Sequence, residues 1–130
     1  MIVADASVLV PALVDDGGSG ALARERILAA EVHVPALADV EVLSVVRRGV
    51  LAGRLTPERG AAALQDYADL AVERYPHLPL LGRAWQLRDS VSAYDAQYVA
   101  LAELLDVPLV TADGRLARAP GLRCPVDLLR

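Results

Sequence analysis

The 130-residue chain contains no lysine: all 13 of its basic residues are arginine. Sites built around a lysine amine are thereby excluded, and a carboxylate that needs a cation must find it in arginine or in a bound ion. Together with the abundance of alanine, this usage points to a GC-rich bacterial source. Cysteine is nearly absent as well. Cys124 stands alone, so no internal disulfide can form, which fits a reducing, cytoplasmic setting. No apolar run approaches the roughly 18 residues that a membrane-spanning helix needs. The N-terminus has no basic leader segment and places Asp5 inside its apolar run, which makes it a poor signal peptide. Internal repeats, low-complexity tracts and linkers are also missing. The net charge of −4 argues against a simple electrostatic nucleic-acid binder, since such proteins use Lys and Arg to displace counterions.

What is present is a chain of one-domain length, 55% hydrophobic, with enough apolar residues to bury a core. Short apolar runs at 2–4, 31–35, 71–76, 108–113 and 123–127 read as strands. Between them, 7–14, 20–30, 36–53, 57–70, 78–89 and 93–105 read as helices. Thr56 and Pro57 form a strong helix start, and Gly53 a stop. In the last long helix, Tyr94, Tyr98, Leu101 and Leu105 recur at helical spacing and are expected to face the core. Strands alternating with helices predict a three-layer α/β/α sandwich on a short parallel sheet, with right-handed crossovers.

In such a sheet all strands end at one edge, the place where open α/β folds bind ligands. Asp5 ends the first strand and Asp113 the fourth. Glu41 lies in the first two turns of the helix after the second strand, and Asp95 in the first turn of the helix before the fourth. Each has an ordinary reading: Asp5 as a helix cap, Asp95 in a capping box after Ser92, Asp113 with Gly114 as a turn, Glu41 on a solvated face. Jointly, four carboxylates at one edge with no lysine to pair them predict mutual repulsion that a cation would relieve. All-oxygen ligands suit Mg2+, with Mn2+ as a substitute, and an ion that keeps most of its waters. Repulsion also predicts that the cation-free protein gains stability when Asp5 or Asp113 is neutralised.

Other polar residues read as structural. Asp15 and Asp16 belong to a Gly-rich turn, and Asp66 and Asp69 to a solvated helix face. Asp39 projects from another face than Glu41 and is the alternative to it. His33 and His77 have no partner at metal-ligand spacing. Trp85 and the tyrosines read as core or interface, and Cys124 as inert.

Two families with an acid after the first strand, the haloacid-dehalogenase-type phosphatases and the receiver domains, rely on a lysine and are set aside. A third resemblance is close. "IVADASVLV", "PALADVEVLSVVRR", "SAYDAQYVALAE" and "PLVTADGRLAR" resemble, in order, the four motifs of the PIN-domain family, and the length is similar to that of its VapC-type toxins. The resemblance puts the family's acids on Asp5, Glu41, Asp95 and Asp113. Where some members carry a further acid or Asn after the fourth motif, this chain has Gly114, Arg115 and Leu116.

The resemblance implies a Mg2+-dependent endoribonuclease that cleaves single-stranded or looped RNA. It also implies a small VapB-like antitoxin as the partner that restrains the enzyme. The four acids would hold the metal, while the Ser7 and Thr111 hydroxyls orient them. Arg47, Arg48 and Arg115 are the candidates for contacting RNA. The apolar helices at 36–53 and 57–70 suggest a homodimer, of two-fold symmetry, and no membrane association. The alternative is a catalytically silent PIN-fold module that binds RNA or protein. Retention of all four acids argues for the enzyme.

Overall fold

The computed structural model describes residues 1–130 and has the expected architecture. Strand β1 (Ile2–Ala4) lies at the centre of a five-stranded, wholly parallel sheet. On one side it is followed by β2 (Val32–Pro35) and β3 (Val72–Tyr75). On the other come β4 (Leu109–Thr111) and β5 (Val126–Leu128). The central strands are apolar throughout because both of their faces are covered: Val3, Ala4, Leu109 and Val110 are fully buried. The outermost strands are only half-covered and carry charge, with Glu73 and Arg74 on β3 and Asp127 on β5.

Helices α1 (Ala6–Val14) and α2 (Gly18–Leu28) connect β1 to β2, and α3 (Leu37–Leu51) and α4 (Pro57–Asp69) connect β2 to β3. The chain then crosses back through a 3-10 turn at Leu78–Leu80, α5 (Leu81–Gln86) and α6 (Ala93–Leu105) to reach β4. The short α7 (Gly114–Ala117) leads to β5. With right-handed crossovers, this reversal of direction must put the later helices on the opposite face. The packing agrees: α1 touches α2, α3 and α4, whereas α6 packs on α5 and lies across β1, β2 and β4. The reversal occurs between β1 and β4, so their carboxyl ends flank the crevice.

Local signals explain the main boundaries. Thr56 caps α4 by accepting the Arg59 N–H at 3.1 Å, with Pro57 at the first helical position. Helix α3 stops because Gly53, at φ +76°, turns the chain into a conformation that side chains disfavour. Several expectations need correction. Tyr94 does not face the core; it lies in the first turn of α6 and is 65% exposed, while the buried run of that helix begins at Ala96. Tyr98 and Leu101 are buried as expected, and Leu105 is half-buried. Trp85, read as core or interface, is exposed, which rules out only the core. The expected helix at 78–89 is split. Pro79 sits in the 3-10 turn, and the chain turns again at Leu87, which is buried, before entering α6. No helix is long and apolar enough to cross a membrane.

One close approach governs the α1–α2 corner. A Cβ on Gly20 would lie 1.9 Å from the backbone oxygen of Asp15, so only glycine fits there. Nothing lies within 4 Å of a Cβ placed on Gly18. Gly20→Ala is therefore expected to destabilise the protein by about 1–3 kcal/mol or more, because backbone must move. Gly18→Ala should be neutral or stabilising by roughly 0.5–1 kcal/mol. Thermal melts of the two variants, which add the same methyl group, check this. Equal losses would contradict the packing at this corner.

Candidate active site

Asp5 follows the last residue of β1 and is 6% exposed. It caps α1, accepting the Ser7 N–H at 3.1 Å on Oδ1. The same oxygen accepts the Ser7 hydroxyl, and Oδ2 accepts the Thr111 hydroxyl at 2.6 Å. Each hydroxyl gives its proton to Asp5 and takes a backbone N–H in return: Ser7 from Ala112 at 2.8 Å, Thr111 from Asp113 at 3.0 Å. The two hydroxyls are 3.3 Å apart. Ser7 and Thr111 thus hold both oxygens of Asp5. Capping and convergence prove compatible, since one carboxylate does both.

Glu41 and Asp95 reach the same crevice from opposite layers. Glu41 is half-buried on α3, and its Oε1 accepts the Tyr98 hydroxyl at 2.5 Å. Asp95 lies in the first turn of α6, where Ser92 accepts its backbone N–H at 3.1 Å. The reciprocal bond of a capping box to the Ser92 backbone is not made, and the Ser92 hydroxyl is the one side-chain donor that favours the Asp95 carboxylate. Asp113 caps α7 through the Arg115 N–H at 2.9 Å and faces the Arg115 guanidinium at 3.9 Å.

The electrostatics show that these groups sense one another. Burial raises the Asp5 carboxyl above the ordinary range, against the hydrogen bonds from Ser7 and Thr111, and the Asp95 charge raises it further. Burial raises Glu41 as well. Tyr98 opposes that rise, and the charges of Asp95 and Asp5 add to it. Asp95 is raised by burial and then by Asp113, while Ser92 and Arg115 pull it down. No three acidic, histidine or cysteine side chains are arranged to grip one bare ion directly. The donor set fits Mg2+ in its usual form, held by one or two carboxylates and otherwise by water. A caged ion with four or more protein ligands does not fit. The mutual repulsion and the absence of a direct cage are both satisfied by a hydrated ion.

The pattern of the PIN domain matches residues 2–122. The chain belongs to the PIN-domain family. Ribonuclease VapC1 of Mycobacterium tuberculosis is 46% identical over 129 residues, which cover 98% of this chain and 97% of that protein. The crystal structure of VapC20 from the same organism, a sarcin–ricin loop cleaving toxin, is similar at TM-score 0.70 and 15% identity. That likeness covers 90% of this chain and 93% of the other. The structure of VapBC-5, a toxin–antitoxin system member from the same organism, is similar at TM-score 0.57 and 26% identity, over 98% and 96% of the two chains. This PIN domain is thus of the VapC type.

Asp39, the alternative to Glu41, is engaged elsewhere: it pairs with Arg74 at 2.9 Å and accepts the Tyr67 hydroxyl. Arg115 is 92% exposed beside the acids. Arg47 lines a groove between α3 and α4, and Arg48 is exposed two turns along α3 from Glu41. Burial pushes the Cys124 thiol up to about 11, which agrees with an inert cysteine. Tyr98 is the residue that sequence reasoning missed. Its spacing marked it as core, and 57 residues separate it from the carboxylate it binds.

The expected gain from neutralising Asp5 or Asp113 needs revision. Asp5→Asn disturbs the bonds to Ser7 and Thr111, and Asp113→Asn weakens a cap, so relief of repulsion is offset. At Asp95 the support from Ser92 is outweighed by burial and the Asp113 charge, and the carboxyl stays raised. In chelator at pH 7, Asp95→Asn should melt above wild type by roughly 2–4 °C, the shift that about 1 kcal/mol gives a domain of this size. A raised carboxyl binds its proton more tightly in the folded state, so the ionised form costs stability above the folded pKa. The difference should shrink as pH falls through that raised value towards the ordinary 3.8. Melts across pH 7 to 4 check the sign. A variant that melts below wild type at pH 7 would contradict it.

Proposed function

We propose that this PIN domain is a metal-dependent endoribonuclease, the toxin of a toxin–antitoxin pair, that cleaves single-stranded or looped RNA. One observation carries the reading: Asp5, Glu41 and Asp95 converge from both helical layers at the switch point, each held above its ordinary pKa. The relationship to ribonuclease VapC1 supports the same reading.

Asp5 and Asp95 would hold Mg2+ or Mn2+, with Glu41 and Asp113 assisting, mostly through water. A divalent ion there lowers the pKa of bound water and neutralises charge on the attacked phosphate. The protein's own groups prepare the site. Ser7 and Thr111 keep both oxygens of Asp5 oriented, and Tyr98 fixes the rotamer of Glu41. Asp95, half-buried and supported only by the Ser92 hydroxyl and a distant Arg115, is the carboxylate this reading gives to a ligand. Arg115 is exposed enough to meet a phosphate, since its contact to Asp113 is long and solvated.

An apolar groove along α3 and α4 supports a protein partner. Leu43, Val46, Val50, Leu51 and Leu64 line it, with Leu43 48% and Leu51 68% exposed. A small antitoxin with an apolar segment fits such a groove, and a two-fold homodimer accompanies it in this reading.

Cleavage of a single-stranded oligoribonucleotide should require Mg2+ or Mn2+. Asp95→Asn should lower it by at least about 100-fold without loss of folding, and only the active form should arrest bacterial growth until the antitoxin is co-expressed. Undiminished cleavage in excess chelator would refute the mechanism. Sedimentation at tens of micromolar should give a dimer whose mass rises when antitoxin is added. A monomer indifferent to antitoxin would remove the partner assignment.

A further inference from the structure

His77 stands between the two helices that carry Glu41 and Asp95, and neither of its ring nitrogens is free. Helix α3 begins without a side-chain cap, since its N-cap residue is Ala36. The first amide of that helix, Leu37 N–H, donates instead to Nε2 of His77 at 2.9 Å. Across the ring, Nδ1 lies 2.9 Å from Oε1 of Gln97, which is 7% exposed on α6. Gln97 Nε2 in turn donates to the Ala93 carbonyl at 3.3 Å.

Only one arrangement of protons satisfies this chain. Leu37 N–H is a donor, so Nε2 must be bare, and a neutral imidazole then carries its proton on Nδ1. That proton requires an acceptor, which is the oxygen of Gln97. A flipped Gln97 amide would set NH2 against the ring and turn an N–H towards Leu37, donor against donor. The relay therefore runs unbroken from the first turn of α3 to the first turn of α6. Glu41 lies one helical turn beyond Leu37. Asp95 lies between Ala93 and Gln97, the two α6 residues the relay touches.

We infer that His77 is a positioning residue for the acidic centre: it sets the spacing of α3 against α6, and so how Glu41 and Asp95 present themselves to one ion. Tyr98–Glu41 is a second tie between the same helices. Two ties resist rotation where one would act as a hinge. The inference rests on the reading of the cluster as a divalent-ion site. Groups that orient ligands without touching the metal typically carry 10–100-fold in metal affinity.

The test uses the full chain and Mn2+ alone. His77→Phe keeps a ring but removes both bonds. Gln97→Met removes only the α6 end, and His77→Gln can still accept from Leu37. Calorimetry without RNA should show Mn2+ binding weakened about tenfold in His77→Phe. His77→Gln should recover part of that loss, and the double variant His77→Phe/Gln97→Met should be no worse than His77→Phe, since both act through one relay. Nitrogen-15 spectra of the wild-type ring should place the proton on Nδ1. A folded His77→Phe with wild-type Mn2+ affinity would overturn the inference, as would a proton on Nε2. If His77→Phe fails to fold, Gln97→Met with undiminished affinity overturns it equally. Wild type that binds no Mn2+ would instead overturn the metal reading, while the ring nitrogens still report the relay.

Discussion

The arrangement depends on keeping one carboxylate buried without a cationic partner. Asp5 follows the buried, apolar central strand, and burial alone would drive it to hold its proton. Two hydroxyls and an amide make its charge tolerable. One hydroxyl comes from α1 and the other from β4, so the bonds that stabilise the charge also join the two strands whose carboxyl ends open the crevice. Geometry of the site and pairing at the middle of the sheet are therefore one construction.

Around Asp5 the remaining acids are supported to different degrees. Glu41 has a phenol, Asp113 an amide and a distant guanidinium, and Asp95 the Ser92 hydroxyl, the more distant Arg115 charge and the favourable end of its helix. Stability and readiness for a ligand run in opposite directions along that series. Carboxylates raised above their ordinary range by burial and by one another are the pattern in which tension concentrates at functional sites. The other acids of the chain lie outside this tension. Glu103, for example, is held below its ordinary value by the Arg83 fork and the Arg123 amide, although burial opposes it.

Much of this was legible in the sequence because it is periodic or topological. Alternating short strands and helices prescribe a parallel sheet, and a parallel sheet gathers strand ends. That logic places Asp5, Glu41, Asp95 and Asp113 together without any distance being known. Capping signals at Thr56 and Ser92 were equally local. What escaped the sequence was contact across long separations. Tyr98 and Glu41 meet over 57 residues, and His77 joins positions 40 residues before it and 20 after. Tyr94 failed for the opposite reason. Its periodicity matched the core face, yet burial on α6 starts only at Ala96, and periodicity carries no information about where along a helix the covering begins.

The order of the strands has a consequence for how the molecule comes into being. β1 is made first but pairs with β4, roughly a hundred residues later in the chain. Until β4 docks, Asp5 lacks the Thr111 hydroxyl, and Asp113 has no strand to place it. A nascent chain emerging from the ribosome can fold α1 to α4 against β1, β2 and β3 while its acidic edge is still incomplete. Closure of the site is a late, long-range event, the slow kind in which loop entropy is lost before contacts repay it. In a chain of this topology the acidic edge is completed only when β4 docks beside β1 and brings Thr111 and Asp113 to Asp5.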